Sequence, residues 1–172
     1  MAENRGKKFE EVIKQAFQKV PGVSIDRLHD QTTGFAGSTN ICDFIVYREP
    51  NEFYFECKSV HGNTLPFSNI TEKQWLGLLE KSKIEGVFAG VICWWVDRDI
   101  TKYIPIQVLQ FLKSCGDKSI SFRDDYSTGV PAERPFKFKN ISSTITISGK
   151  KKRVFFDYDM EGFLDELSTN RD

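Results

Sequence analysis

Apolar side chains at Phe9, Val12, Ile13, Ala16, Phe17 and Val20 recur at three- and four-residue intervals, so the pattern predicts an amphipathic helix from about Arg5 to Val20. Pro21-Gly22 ends it. A turn of about 100° per residue sets Glu10 on the flank of the apolar stripe, beside Ile13 and Phe17, and Glu11 on the opposite, wet side. Val23 to Leu28 has the character of a short strand, and Thr32 to Asn40, rich in Thr, Gly, Ser and Asn, that of a loop. The residues then become aromatic and β-branched. Asp43 to Tyr47 and Phe53 to Val60 read as two strands of a hairpin, with Arg48 to Glu52 as the turn.

Helical spacing returns at Asn69 and runs to about Ile84, with Trp75, Leu78 and Leu79 on the buried side. Gly86 then releases Val87 to Val96, whose continuous apolarity suits a strand covered on both faces. Strand, helix and buried strand imply a right-handed crossover within a mixed sheet. Lys102 to Ile106 is expected as an edge strand and Ile106 to Ser114 as a short helix. Further on come a hairpin from Ile141 to Tyr158, turning at Ser148 to Lys152, and a last acidic helix from about Met160 to Leu167. There are no internal repeats.

The length, 172 residues, is that of one domain with a core, and an apolar fraction of 40% with 15 Phe and 3 Trp belongs to a folded globular chain. Val87 to Val96 is too short to cross a bilayer. The polar first residues lack the apolar stretch of a secretory signal, which sets the expectation of a cytoplasmic protein. Cys42, Cys57, Cys93 and Cys115 are scattered, with no CxxC pair, and are expected as free thiols, three of them in strands. His29 and His61 each lack a neighbouring ligand at metal spacing, so zinc is not indicated and both are expected as hydrogen-bonded loop residues. No phosphate-cradling glycine loop and no Ser-His-Asp arrangement is present. Trp75, Trp94 and Trp95 are expected in the core or at a dimer contact.

The zero formal net charge argues against indiscriminate binding to phosphate, but the charge is uneven. Seven basic and no acidic residues lie between Arg134 and Arg153, whereas Val154 to Asp172 holds six acidic residues. Lys150, Lys151, Lys152 and Arg153, with Lys7 and Lys8, are candidate phosphate contacts. A solvated basic turn explains the cluster of four equally well.

Alternation puts Glu56 and Lys58 on one side of their strand, with Phe53, Phe55 and Cys57 on the other. A hairpin folded about Pro50 brings Asp43 across from the Glu56 to Lys58 segment, and Glu10 can approach from the first helix. Two or three carboxylates beside an ammonium suit phosphodiester hydrolysis. The carboxylates hold a hard divalent cation and the lysine steadies transition-state charge. The bare spacing also fits a surface cross-strand pair.

Asn4-Arg-Gly6, Phe9-Glu10, Asp43-Phe-x-x-Tyr47, Phe55-Glu-Cys-Lys-Ser59, Leu65-Pro-Phe67, Asn69, Gln74 and the strand ending near Trp94 follow one another as in a known family. In these features the chain resembles the RecU-type Holliday-junction resolvases, a branch of the PD-(D/E)XK nucleases, over roughly residues 4 to 125. The resemblance implies an α/β (α+β) fold with a restriction-endonuclease-like core, a central mixed sheet flanked by helices, and an extra C-terminal hairpin. On that basis residues 1–172 form a single nuclease domain, with a core at about 4–125 and an extension over 126–172.

The same resemblance makes Asp43 and Glu56 metal ligands for Mg²⁺ or Mn²⁺, together with the backbone carbonyl of Cys57. Lys58 becomes the catalytic lysine, Glu10 an acidic contributor acting directly or through water, and Gln74 a glutamine beside the active site. Thr71-x-x-Gln74 is also a capping box, and Asn69 can be read as a helix cap or as a DNA contact. The implied partner is a four-way DNA junction, cut by paired symmetric nicks from a homodimer, with no membrane association. A related nuclease for linear or otherwise branched DNA, or a non-catalytic recombination accessory protein, is compatible with the same residues. Cellular members carry a longer stalk segment before the Asp, where this chain has only Val23 to Cys42; compact versions resemble bacteriophage resolvases. Cys42, Ser68 and Thr71 stand where the family tends to have Thr, Gln and His.

Overall fold

The computed structural model describes residues 3–28, 40–124 and 144–169. Along the chain it runs α1 (Glu3–Gln18), β1 (Ser24–Arg27), β2 (Phe44–Arg48), β3 (Asn51–Val60), β4 (Thr64–Pro66), α2 (Glu72–Ser82), β5 (Val87–Trp95) and β6 (Ile100–Pro105). There follow α3 (Ile106–Ser114), β7 (Ser119–Ser121), β8 (Ile145–Thr146), β9 (Gly149–Lys151), β10 (Phe156–Tyr158) and α4 (Met160–Thr169). The expected loop Thr32 to Asn40 falls, apart from Asn40, outside the described residues, as does His29.

Six strands form the central sheet in the order β1-β2-β3-β5-β6-β8. Among the described strands only β3 and β5 run parallel, paired from Glu52 with Val87 to Val60 with Trp95, and α2 makes the crossover between them. The sheet is therefore mixed, and helices cover both faces because β3 and β5 are apolar on both. Phe53, Phe55, Phe88, Trp94 and Tyr103 face α1 and α4, whereas Tyr54, Val91, Cys93, Trp95 and Ile104 face α2 and α3. All nine residues of β5 are buried, as their unbroken apolarity requires. The Phe55 ring stacks on Phe17 at 5.5 Å and meets Tyr103 edge-on at 5.5 Å, fixing β3 against α1. Where β6 passes β5, a side chain at Gly90 would lie 2.4 Å from the Ile104 carbonyl oxygen, so the close approach needs glycine.

Several expectations change. β6 is interior rather than an edge strand, because β8 pairs with its Lys102 and Tyr103. The hairpin is β9 with β10, closed by Lys152 N–H donating to the Phe155 carbonyl, while the earlier part of the expected hairpin joins the main sheet as β8. The turn between β2 and β3 shrinks to Glu49-Pro50, a cis bond, since Arg48 and Asn51 already pair. Phe163, Leu164 and Leu167 of α4 enter the same core as Phe9 and Phe55, so the last helix belongs to the core and not to an appendage. The small β4–β7 ladder has no signal in the sequence. All four cysteines are free, but only Cys57 and Cys93 lie in strands; Cys42 precedes β2 and Cys115 follows α3. Among the described residues no helix is long and apolar enough to cross a membrane.

Candidate active site

Asp43 stands where β2 begins, and its position is fixed from three directions. Its N–H donates to the Phe55 carbonyl at 3.1 Å, its own carbonyl accepts from Leu28 N–H at 2.8 Å, and its Oδ2 accepts from Cys57 N–H at 2.8 Å. A side-chain oxygen thus satisfies a β3 backbone donor, which holds the carboxylate in the seam between the two strands. Cys57 N–H lies between Glu56 and Lys58, so this bond is the one that draws Asp43 to them. The β2–β3 register, with Phe44 opposite Phe55, leads to the same juxtaposition.

Glu56 and Lys58 point to the face covered by α2. Glu56 is 3% exposed, and its Oε1 accepts from Lys58 Nζ at 2.7 Å and from Gln74 Nε2 at 2.8 Å. Gln74 also completes the capping box. Its backbone N–H donates to Thr71 Oγ1 at 3.2 Å, and its Oε1 accepts from Thr71 N–H at 3.0 Å. One amide therefore caps the start of α2 and also binds the buried carboxylate of Glu56.

Glu10 belongs to α1, which packs on the other face of the sheet, and its charge acts on both Asp43 and Glu56. Its Oε2 accepts from Arg27 Nη2 at 2.5 Å. Glu11, expected on the wet side, is the more exposed of the two but comes within 3.8 Å of the same guanidinium. Arg27 was not anticipated. It lies two strands from Glu56, and nothing in local spacing marks an ion pair that closes between β1 and α1.

The electrostatics are those of crowded acids. Burial, then the neighbouring charge of Glu56, pushes the Asp43 carboxyl from 3.8 up to about 8, against the Cys57 N–H bond and Lys58. Glu56 is likewise raised, first by burial, although Lys58 opposes the shift. Cys42 is pushed up to about 12 by burial and the two nearby carboxylates, which leaves it an inert thiol.

The residues suit a hard divalent cation. Glu56 Oε2 is buried and has no hydrogen-bond partner among the described residues, and the adjoining Asp43 is held with its own charge disfavoured. Among the described residues no three His, Cys, Asp or Glu side chains are grouped as a ready metal cage. Mg²⁺ needs none, since it is bound by one or two carboxylates together with waters and substrate phosphates. Asp43 and Glu56 fit that role. Glu10, occupied by Arg27, fits a water-mediated one.

The remaining candidates are dispersed. Lys7 and Lys8 are exposed on α1. Asn69 is exposed in a 3-10 turn and does not cap α2, because Thr71 does. Lys150 to Arg153 lie on the β9–β10 hairpin and its turn, where Lys151 pairs with Asp99 and Lys152 lies 3.8 Å from Asp157, so half the cluster is internally balanced. His61 is hydrogen-bonded, to Asp97 and to Arg5, each at 2.9 Å. Trp75, Trp94 and Trp95 are buried.

No family model matches the chain, and no curated protein matches it. Among solved structures the chain is similar to Hjc of Archaeoglobus fulgidus, a Holliday junction resolvase from an archaeal hyperthermophile determined at 1.6 Å resolution. The identity is 19% and the TM-score 0.45, over 59% of this chain and 78% of that one.

Proposed function

We propose that this chain is a metal-dependent DNA endonuclease whose active site is Asp43, Glu56, Lys58 and Gln74, with Glu10 contributing from α1 and Mg²⁺ or Mn²⁺ as its cation. The observation that carries the proposal is the convergence of two charge-strained carboxylates, one with a buried oxygen that has no partner among the described residues, and a lysine on one rigid hairpin. Asp43, Glu56 and the Cys57 carbonyl would hold the ion. When bound, the ion supplies Lewis-acid neutralisation of phosphate charge and a water of lowered pKa. The chain's own groups do the rest. Lys58 places an ammonium where charge grows on the phosphate and orients the attacking water. Gln74 fixes the Glu56 oxygen that Lys58 also holds, and the Cys57 N–H fixes Asp43, so neither carboxylate has to reorganise during reaction.

Within that activity we assign the chain to structure-selective cleavage of four-way junctions by paired symmetric nicks, in recombination, repair or phage DNA processing. The support is the ordered set of motifs from Asn4 to Trp94 that resembles the RecU-type resolvases. Two symmetric cuts need two centres, hence a homodimer. Lys7, Lys8, Asn69 and the basic cluster Lys150 to Arg153, above all Lys150 and Arg153, which form no ion pair among the described residues, are assigned to the DNA backbone. Incubation with a mobile four-way junction, a matching duplex and Mg²⁺ or Mn²⁺ tests this in one gel. Symmetric nicks confined to the junction are expected. Equal cutting of the duplex would make it a general nuclease, and binding without cutting an accessory protein.

A further inference from the structure

Past Lys58, β3 ends and the chain passes through His61, Gly62 and Asn63 to an edge built from three separate segments. Arg98, in the turn after β5, donates from Nε and Nη2 to the Asn63 Oδ1 at 3.0 and 2.6 Å, which leaves three of a guanidinium's five N–H groups unused by Asn63. Asn63 is in turn fixed by the Phe122 N–H, which donates to its carbonyl at 3.0 Å. The Phe122 ring then carries two guanidiniums, Arg98 and Arg123, each 5.3 Å from its centroid and so at most about 11 Å apart. Two cations are held together on one aromatic support with exposed heads.

The acids nearby are bound chiefly by other groups, although the charge of Arg98 also acts on Asp97. Asp97 accepts from Gly62 N–H at 2.7 Å and is bound to His61, Asp124 accepts from Ser121 N–H at 2.7 Å, and Asp99 is paired with Lys151. Neither Arg98 nor Arg123 forms an ion pair among the described residues. Two guanidiniums held on one ring, neither in an ion pair among the described residues, are what a polyanion relieves on binding. The placement selects the polyanion. Asn63 is five residues from Lys58, at most about 17 Å of extended chain, which is roughly five nucleotides of a DNA strand. The Arg5–His61–Asp97 chain bridges the interval from α1.

We infer that Arg98 and Arg123, presented on Phe122, form a second DNA-backbone contact that seats the strand leaving the active site. The inference rests on the nuclease reading above and assigns to its substrate a surface separate from the basic hairpin. It is tested by fluorescence anisotropy of a labelled four-way junction and a labelled duplex with EDTA present, for the wild type, the double variant Arg98→Gln/Arg123→Gln, Phe122→Leu, and Lys113→Gln as a control lysine outside the Phe122 cluster.

The double variant should bind both DNAs more weakly, with a log–log salt slope shallower by about 1.8. Between about 50 and 200 mM salt the wild type should thus lose about tenfold more affinity than the double variant. Phe122→Leu should shift in the same direction and Lys113→Gln should match wild type. If the double variant keeps wild-type affinity and slope while the wild type still nicks DNA, the contact is refuted and the nuclease reading stands. If the wild type neither binds nor nicks either DNA, both fall.

Discussion

Replacing Asp43 with Asn should abolish nicking yet stabilise the metal-free protein at alkaline pH. Asn keeps the size of the side chain and an oxygen able to accept from Cys57 N–H, so the change removes charge and little else. The folded-state pKa of Asp43 lies at about 8, above its ordinary value of 3.8. With the folded pKa raised, this group's contribution is fully favourable below about pH 4 and is lost as pH climbs through about 8. At 1.36 kcal/mol per unit the nominal ceiling is about 6 kcal/mol. Because Asp43 is only partly buried and shares its strain with Glu56, about 1 to 3 kcal/mol is the expected gain. For a domain of this size that corresponds to roughly 3 to 10 °C in Tm. Thermal melts in EDTA at pH 4 and pH 9 should therefore show a difference that is small at the lower pH and opens at the higher. Added Mg²⁺ should close it by stabilising the wild type alone. An Asp43→Asn protein no more stable than wild type at pH 9 would refute the picture of two acids forced together.

Lys58→Met should lower single-turnover nicking at least about 100-fold, since it removes the ammonium that the proposed mechanism assigns to the phosphate charge. It should also lower stability at pH 8, because Glu56 loses its 2.7 Å partner; unchanged nicking would remove Lys58 from the centre. Thr71→Ala and Gln74→Ala should separate the two duties of the capping box. The first costs about 1 kcal/mol in urea unfolding with most activity retained, while the second loses both the cap and the bond to Glu56. Equal activities in the two variants would deny Gln74 a role at the site. Truncation after Tyr158 should leave the chain unfolded by circular dichroism, because it deletes Phe163, Leu164 and Leu167, each worth about 1.5 to 3 kcal/mol when fully buried; a cooperative melt from the truncated chain would show the core closes without α4.

The hairpin was legible because its determinants are local. Alternation assigns Glu56 and Lys58 to one face, Pro50 sets the turn, and the register carries Asp43 opposite. Gln74 was ambiguous in sequence for a physical reason, since the spacing that makes a capping box also aims the amide back past the helix start to β3. What escaped were pairings between distant segments. Arg27 with Glu10 closes over 17 residues, β8 on β6 is two residues long, and β4 with β7 joins segments more than 50 residues apart, all without periodicity to betray them. The amphipathic pattern of α4 announced a helix but not that its apolar side completes the cover of Phe55 and Tyr103.

That cover explains how the acids can be held at all. A buried carboxylate beside a second one favours any movement that lets water in, so the scaffold must resist. On one face β3 is locked by Phe53 and Phe55 stacked against Phe17 and Phe88; on the other, one residue along, it presents Glu56. The parallel ladder to β5 holds the same residues from the side over nine consecutive pairs. Asp43 is anchored by backbone bonds to Leu28, just past β1, and to β3, so its carboxylate cannot swing away from Glu56 without breaking a strand junction. The rigid apolar hairpin and the strained acidic pair are therefore one device. Packing of the Phe rings supplies the stability that the crowded carboxylates remove, so the cation site proposed above is shaped in advance by the scaffold.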